Sequence, residues 1–308
     1  MTRVAAIDCG TNSIRLLIVD VVGDRLVDVT RQMEIVRLGQ DVDRTGLLAP
    51  DALDRTFTAL RTYADTIAAA GVQRTRMVAT SATRDAANRA EFVSGCTAIL
   101  GLAPEVVTGA EEARLSFHGA TKGLDRRHPG PYLVVDIGGG STELVLGDDT
   151  VEQSRSVEIG CVRLHERRLA SDPPTAEQIH AAEADVDAAL ALVDQTVDVR
   201  RARTLVGVAG TVTTVAALAL GLPSYDPTAI HGGVIAAADI DRITGELLAM
   251  RVEQRRALTV MHPGRADVIG SGALVLRRIV QHVGVAAVVA SEHDILDGIA
   301  WSLVDPTP

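Results

Sequence analysis

Leu133–Leu146 reads LVVDIGGGSTELVL: an apolar run ending on an aspartate, three glycines, two hydroxyl residues and a second apolar run. Two such runs around a glycine turn predict a β-hairpin. Glycine permits φ > 0 conformations that would curl the turn's N–H groups into a nest for an anion. The Ser141 and Thr142 hydroxyls would add donors of the kind phosphate oxygens require. A carboxylate is a poor direct neighbour for phosphate, so Asp136 points to a divalent cation that offsets the repulsion. A glycine-rich hairpin that merely turns a corner would show the same letters, because one such motif is a weak signal.

The stretch has a twin. Aligning Ala5–Ile18, AAIDCGTNSIRLLI, with Leu133–Leu146 places Asp8 on Asp136, Gly10 on Gly138 and Ser13 on Ser141, an offset of 136 − 8 = 128 residues. That is about the size of one domain. Two matching loops favour a shared purpose. The expectation is two copies of one fold whose loops face each other across an interdomain gap and grip one polyphosphorylated ligand.

The composition agrees with a buried α/β core. Of 308 residues, 47% are apolar and only 2% aromatic, so Val, Leu, Ile and Ala must fill it. A charged fraction of 23% does not suggest disorder. The net charge of −10 speaks against nucleic-acid binding, which needs a basic field. Arginine supplies nearly all the positive charge, Lys122 being the sole lysine, and arginine forks suit phosphate. Cys9, Cys96 and Cys161 form no metal-binding spacing and read as reduced, cytoplasmic thiols. The N-terminus enters VAAID without a signal-peptide layout. Thr204–Tyr225 is uncharged, but Gly207 and Gly210 divide it into a buried strand and a helix, not a membrane span.

Along the chain, VAAID, SIRLLIVDVV and RLVDVTRQMEIVRLG predict three consecutive antiparallel strands. A helix should run from Pro50 to Ala70, with Gly71 just beyond it. TRMVATSATR reads as a strand running into a polar loop, followed by a helix over Asp85–Leu100, a short strand in PEVVTG and a helix opened by Glu111 and Glu112. The proline-rich DRRHPGP, Asp125–Pro131, marks the boundary between domains 1–124 and 125–291. In the second, TLVGVAG reads as a strand, with helices over Ala238–Met250 and Arg265–His282 and a last strand in VAAVVAS. The helix in 292–308 is expected to pack back onto the first domain.

The segments AIDCGTNSIRLLI, TSATRDAANRAEF, VTGAEEARLSFHG and VVDIGGGSTEL, followed by VAGTVTTVAAL, RADVIGSGALVL and SEHDILDGIAW, resemble the exopolyphosphatase and guanosine pentaphosphate phosphohydrolase (Ppx/GppA) family in that order. The resemblance implies two ribonuclease-H-like domains of the actin, sugar kinase and Hsp70 superfamily flanking a cleft. It implies Mg²⁺, with Mn²⁺ as a substitute, and removal of a terminal phosphate from inorganic polyphosphate, or from pppGpp to give ppGpp in the stringent response. Carried over by position, Glu112 of the EEAR motif positions or deprotonates the attacking water and Glu143 is a further functional acid. Gly10, Thr11, Asn12 and Ser13 form the first phosphate loop; Gly138, Gly139, Gly140, Ser141 and Thr142 form the second. Arg84 binds phosphate, and Asp8, Asp136 and Glu143 hold the metal. Longer members carry C-terminal helical domains that help form dimers; this sequence ends at Pro308, which leaves a homodimer open and suits short chains.

Each residue also has a plainer reading. Glu111 and Glu112 could simply complement a helix dipole, and Arg84 could be a surface arginine pairing near Asp85. Gly207–Thr211 could be a nucleoside turn or strand-to-helix packing, and Arg265 and Asp267 could line a site or bridge loops. A kinase of the same superfamily would share both loops but needs a base for an acceptor hydroxyl, against which EEAR and TSATR argue. A non-catalytic sensor would close on a phosphorylated ligand without turnover. The sparse aromatics give no base-stacking platform, which tilts the choice toward polyphosphate over pppGpp.

Overall fold

The structure is a computed structural model that describes residues 2–23, 25–125 and 127–304. Asp24 of the expected turn, Arg126 of the expected linker and the chain past Val304 lie outside the described residues. The strands are β1 (Thr2–Cys9), β2 (Ser13–Val22), β3 (Arg25–Ile35), β4 (Arg74–Ala79), β5 (Glu105–Val106), β6 (Tyr132–Ile137), β7 (Thr142–Gly147), β8 (Val151–Val157), β9 (Thr204–Val208), β10 (Val234–Ala236) and β11 (Ala287–Ala290). They form two separate sheets within two compact units. One comprises the described parts of Met1–Gly119 and Ile295–Pro308, the other Ala120–Asp294.

In the first unit the sheet order is β3-β2-β1-β4-β5. β1 to β3 pair antiparallel, while β4 and β5 add in parallel. Alternation along β1 divides its side chains between two cores. Ala5, Ile7 and Cys9 pack with Leu53, Leu60 and Tyr63 of the helix Pro50–Ala69 and with Phe92 and Cys96 of the helix Arg89–Leu100. Val4 and Ala6 pack on the other face with Ile295, Leu296 and Ile299 of the helix Ile295–Ser302. The helix Pro50–Ala69 starts on its proline and is followed by Gly71 at φ +65°, a left-handed position that favours glycine.

In the second unit the order is β10-β11-β9-β6-β7-β8. Its β8-β7-β6-β9-β11 portion repeats the first unit's order and its antiparallel-then-parallel pattern. The fold is therefore mixed α/β, a ribonuclease-H-like sheet built twice. The second copy adds the antiparallel edge strand β10, too short for the sequence pattern to reveal. Leu133, Val135 and Ile137 of β6 face a core shared with the helices Ala176–Val193, Ala209–Ala219 and Ile269–Val283.

Several boundaries differ from expectation. After β4 the chain forms a helical turn, Ser81–Asp85, where a polar loop was expected, and the next helix begins at Arg89. The helix expected from Arg265 begins at Ile269, because Pro263–Arg265 forms a separate 3₁₀ turn. Thr204–Tyr225 divides into β9 and the helix Ala209–Ala219. Among the described residues, no helix is long and apolar enough to cross a membrane.

Candidate active site

The two hairpins share more than sequence. In each, the glycine amide closes the loop onto the serine carbonyl: Gly10 to Ser13 at 2.9 Å and Gly138 to Ser141 at 3.0 Å. In each, the segment after the third strand donates amides to the loop's carbonyls. In the first unit Val36 and Arg37 donate to Asn12, and Gly39 donates to Thr11, at 2.8–3.1 Å. In the second, Gly160 donates to Gly140, Cys161 to Gly138, and Val162 and Arg163 to Gly139, at 2.9–3.2 Å. The carbonyls are thus held on one side, while the amides of Thr11, Asn12, Gly139 and Gly140 take no partner among the described residues. An array of unengaged amides with the carbonyls turned away suits an anion.

Here the reason for the glycines differs from the expectation. Neither Gly10 nor Gly138 adopts positive φ. Close approach is what excludes side chains: a Cβ on Gly160 would overlap the backbone of Gly139 and Gly140, and one on Gly39 would overlap the Thr11 side chain. Neither the clamping segment Val157–Arg163 nor Gly39 was singled out from the sequence. A glycine at the matching place after each third strand was the available signal.

The hydroxyls divide. Thr142 is fully buried and donates its only O–H to the Ile159 carbonyl at 2.6 Å, which ties its donor to the clamp instead of a ligand. Thr11 and Ser81 share a hydrogen bond at 2.9 Å, linking the first loop to the helical turn that carries Arg84. Ser141 is buried, and Ser13 opens β2.

The aligned positions Arg15 and Glu143 make the twins unlike. Each stands opposite its strand-end aspartate in register. In the first unit Arg15 donates to Asp8 Oδ2 from Nε at 3.0 Å and from Nη2 at 2.6 Å. In the second, Glu143 faces Asp136, and both are buried, at 1% and 7% exposure. Glu143 lies on the sheet face opposite Leu144, as alternation requires, but it is as buried as the leucine. The Ser156 hydroxyl donates to Glu143 Oε1 at 2.6 Å.

The helix Gly109–Thr121 begins with Glu111 and Glu112, which the structure separates. Glu111 pairs with Arg114, one turn on, and with Arg76; hydrogen bonding by Arg114 holds its carboxyl below the usual range. Glu112 is 7% exposed, and Arg84 Nη1 donates to its Oε2 and to the Val107 carbonyl, both at 3.0 Å. The other N–H groups of the Arg84 fork make no hydrogen bond among the described residues. Elsewhere in the second unit, a Cβ on Gly210 would overlap the Arg265 guanidinium, and Ala209 sits at φ +67°, so the strand-to-helix turn is strained and crowded. Among the described residues, no group of three His, Cys, Asp or Glu could by itself hold a metal ion.

A ribonuclease-H-like unit used twice, each copy with a clamped hairpin loop of unengaged amides, defines an α/β protein whose loops are suited to anions. The chain belongs to the Ppx/GppA phosphatase family, which it matches over residues 17–306. It is 51% identical over 316 residues to Exopolyphosphatase 2 of Mycobacterium tuberculosis, covering 98% of this chain and 99% of that protein. Among solved structures it is similar to an exopolyphosphatase-like protein at 46% identity, with a TM-score of 0.95 and coverage of 98% and 97% of the two chains. The Ppx/GppA family member of Aquifex aeolicus is 30% identical, with a TM-score of 0.82 and the same coverage.

Proposed function

We propose that this protein is an exopolyphosphatase, a phosphoanhydride hydrolase that removes the terminal phosphate of inorganic polyphosphate with the help of Mg²⁺, for which Mn²⁺ can substitute. Family membership and the relatives named as exopolyphosphatases support the reaction class. The observation that carries the reading is the duplicated loop, whose carbonyls are tied back and whose amides are unengaged. Phosphoryl transfer asks chiefly for positioning and for neutralisation of charge, and amide arrays supply both for a chain of phosphates.

The cation in this reading belongs to the second unit. The buried carboxyl groups of Asp136 and Glu143 stand opposite each other on neighbouring strands and supply the hard oxygen donors that Mg²⁺ takes. Mg²⁺ needs only one or two carboxylates, the rest of its shell coming from water and phosphate. Bound there, it would neutralise charge on the phosphate oxygens. In the first unit Arg15 already supplies the positive charge beside Asp8. Glu112 holds the attacking water in line and takes its proton. Arg84 fixes the Glu112 carboxylate and offers its remaining N–H groups to phosphate. We place the protein in the cytoplasm on its three free, buried cysteines.

Glu112→Gln tests the reading. It keeps the size of the side chain and removes the proton acceptor, so phosphate release should fall by at least ~10²-fold while polyphosphate binding is largely kept. Release at the wild-type rate would remove Glu112 from the mechanism.

A further inference from the structure

The acid pair of the second unit has a third member in its row. Asp136 on β6 stands opposite Glu143 on β7, and Glu143 stands opposite Ser156 on β8. The matching row of the first unit is Asp8, Arg15 and Met33. Where the middle position is an arginine that grips its own aspartate, the outer position is a thioether; where it is a glutamate, the outer position is a hydroxyl. The Ser156 Oγ to Glu143 Oε1 distance of 2.6 Å falls in the range of a charge-assisted O–H···O⁻ bond.

We infer that Ser156 is a positioning residue for Glu143. The terminal torsion of a glutamate is broad and poorly defined by sterics alone. By donating to Oε1, Ser156 fixes the plane of the carboxylate, so the acid offers a cation one geometry. The same strand sets the loop: Ser156 is followed by Val157–Arg163, whose amides at Gly160 to Arg163 hold the Gly138–Gly140 carbonyls. One stretch of backbone therefore sets both the acid and the amide array. The inference rests on the cation site proposed above; its cation-binding part does not depend on hydrolysis.

The test uses the full chain with Mn²⁺ as the probe, its binding measured by electron paramagnetic resonance without polyphosphate. Phosphate release and thermal unfolding are measured alongside. Ser156→Ala and Ser156→Cys both remove the strong donor, and the second nearly conserves volume. Ser156→Thr keeps the hydroxyl at a half-buried position. We expect the Ala and Cys variants to bind Mn²⁺ about tenfold more weakly, the scale of a lost hydrogen bond to a charged group. Their kcat should fall by a similar factor with little change in KM for polyphosphate. The Thr variant should stay within about threefold of wild type in both. Wild-type Mn²⁺ affinity in the Ala or Cys variant would overturn the inference. So would an equal loss in all three variants, which marks a packing role, or a wild-type protein that binds no Mn²⁺. A wild type that binds Mn²⁺ but releases no phosphate would sink the hydrolase reading and leave the Ser156 inference standing.

Discussion

Replacing Gly160 with alanine should displace the Gly138–Ser141 loop while leaving the local backbone unstrained. Gly160 has φ −90° and ψ 164°, a conformation any residue adopts, so the substitution isolates contact from torsional cost. The added Cβ would overlap the carbonyl carbon and oxygen of Gly139 and the amide nitrogen of Gly140. These are backbone atoms, which cannot swing aside as the tip of a side chain can. Restoring ordinary carbon contact at about 3.5–4 Å requires a relative shift on the order of 1 Å. That shift stretches the four hydrogen bonds from Gly160, Cys161, Val162 and Arg163 to the loop. Overpacking of this kind costs about 1–3 kcal/mol, and at roughly 2–4 °C per kcal/mol the melting temperature should fall by several degrees. The effect on turnover should be larger, because a ~1 Å misplacement of a positioning group costs about 10²-fold. Initial rates of orthophosphate release over a range of polyphosphate concentrations, with calorimetric melting beside them, read both effects. A folded Gly160→Ala protein with wild-type kcat and KM would refute the claim that the clamp sets the loop.

Three further outcomes follow from the same structure. Gly245 is an exposed position inside the helix Ala237–Ala249, with nothing within 4 Å of an added Cβ; Gly245→Ala should therefore raise stability by about 0.5–1 kcal/mol without changing turnover, and a lower melting temperature would contradict this. Burial pushes the Cys161 thiol up to about 11 and the Cys96 thiol up to about 12. Native protein at neutral pH should therefore react with a thiol-specific disulfide reagent at least ~10²-fold more slowly than free cysteine, and fast labelling of folded protein would contradict it. Because these pKa values lie above the unfolded value near ~8.5, the stability they contribute is complete below that pH and declines as pH rises toward 11–12; melting temperatures that climb over this interval would oppose the assignment.

The fold was legible because its signals are local or repeated. Apolar runs in SIRLLIVDVV and LVVDIGGG mark strands within a few residues, and the 128-residue offset carries the arrangement of one sheet over to the other. A five-residue turn such as Ser81–Asp85 is too short to show a period, and three-residue β10 is equally silent. The site was legible in its residue types and less so in their tasks. Arg15 and Glu143 share a place in the repeat, but only the structure shows that one grips Asp8 and the other stands opposite Asp136 and accepts from Ser156. Adjacent glutamates look alike in EEAR; about 100° of helical rotation hands Glu111 to Arg114 and Arg76 and leaves Glu112 to Arg84. The clamp was hidden because its hydrogen bonds join segments some twenty residues apart, with no pattern in the letters between.

The most direct test of the account is orthophosphate release by the purified chain from polyphosphates of graded length, with and without Mg²⁺, and with pppGpp in parallel. Release that needs the metal, proceeds from chain ends and runs faster on polyphosphate than on pppGpp is the predicted result. No release from any polyphosphate, undiminished release without a divalent cation, or a faster reaction with pppGpp would contradict it.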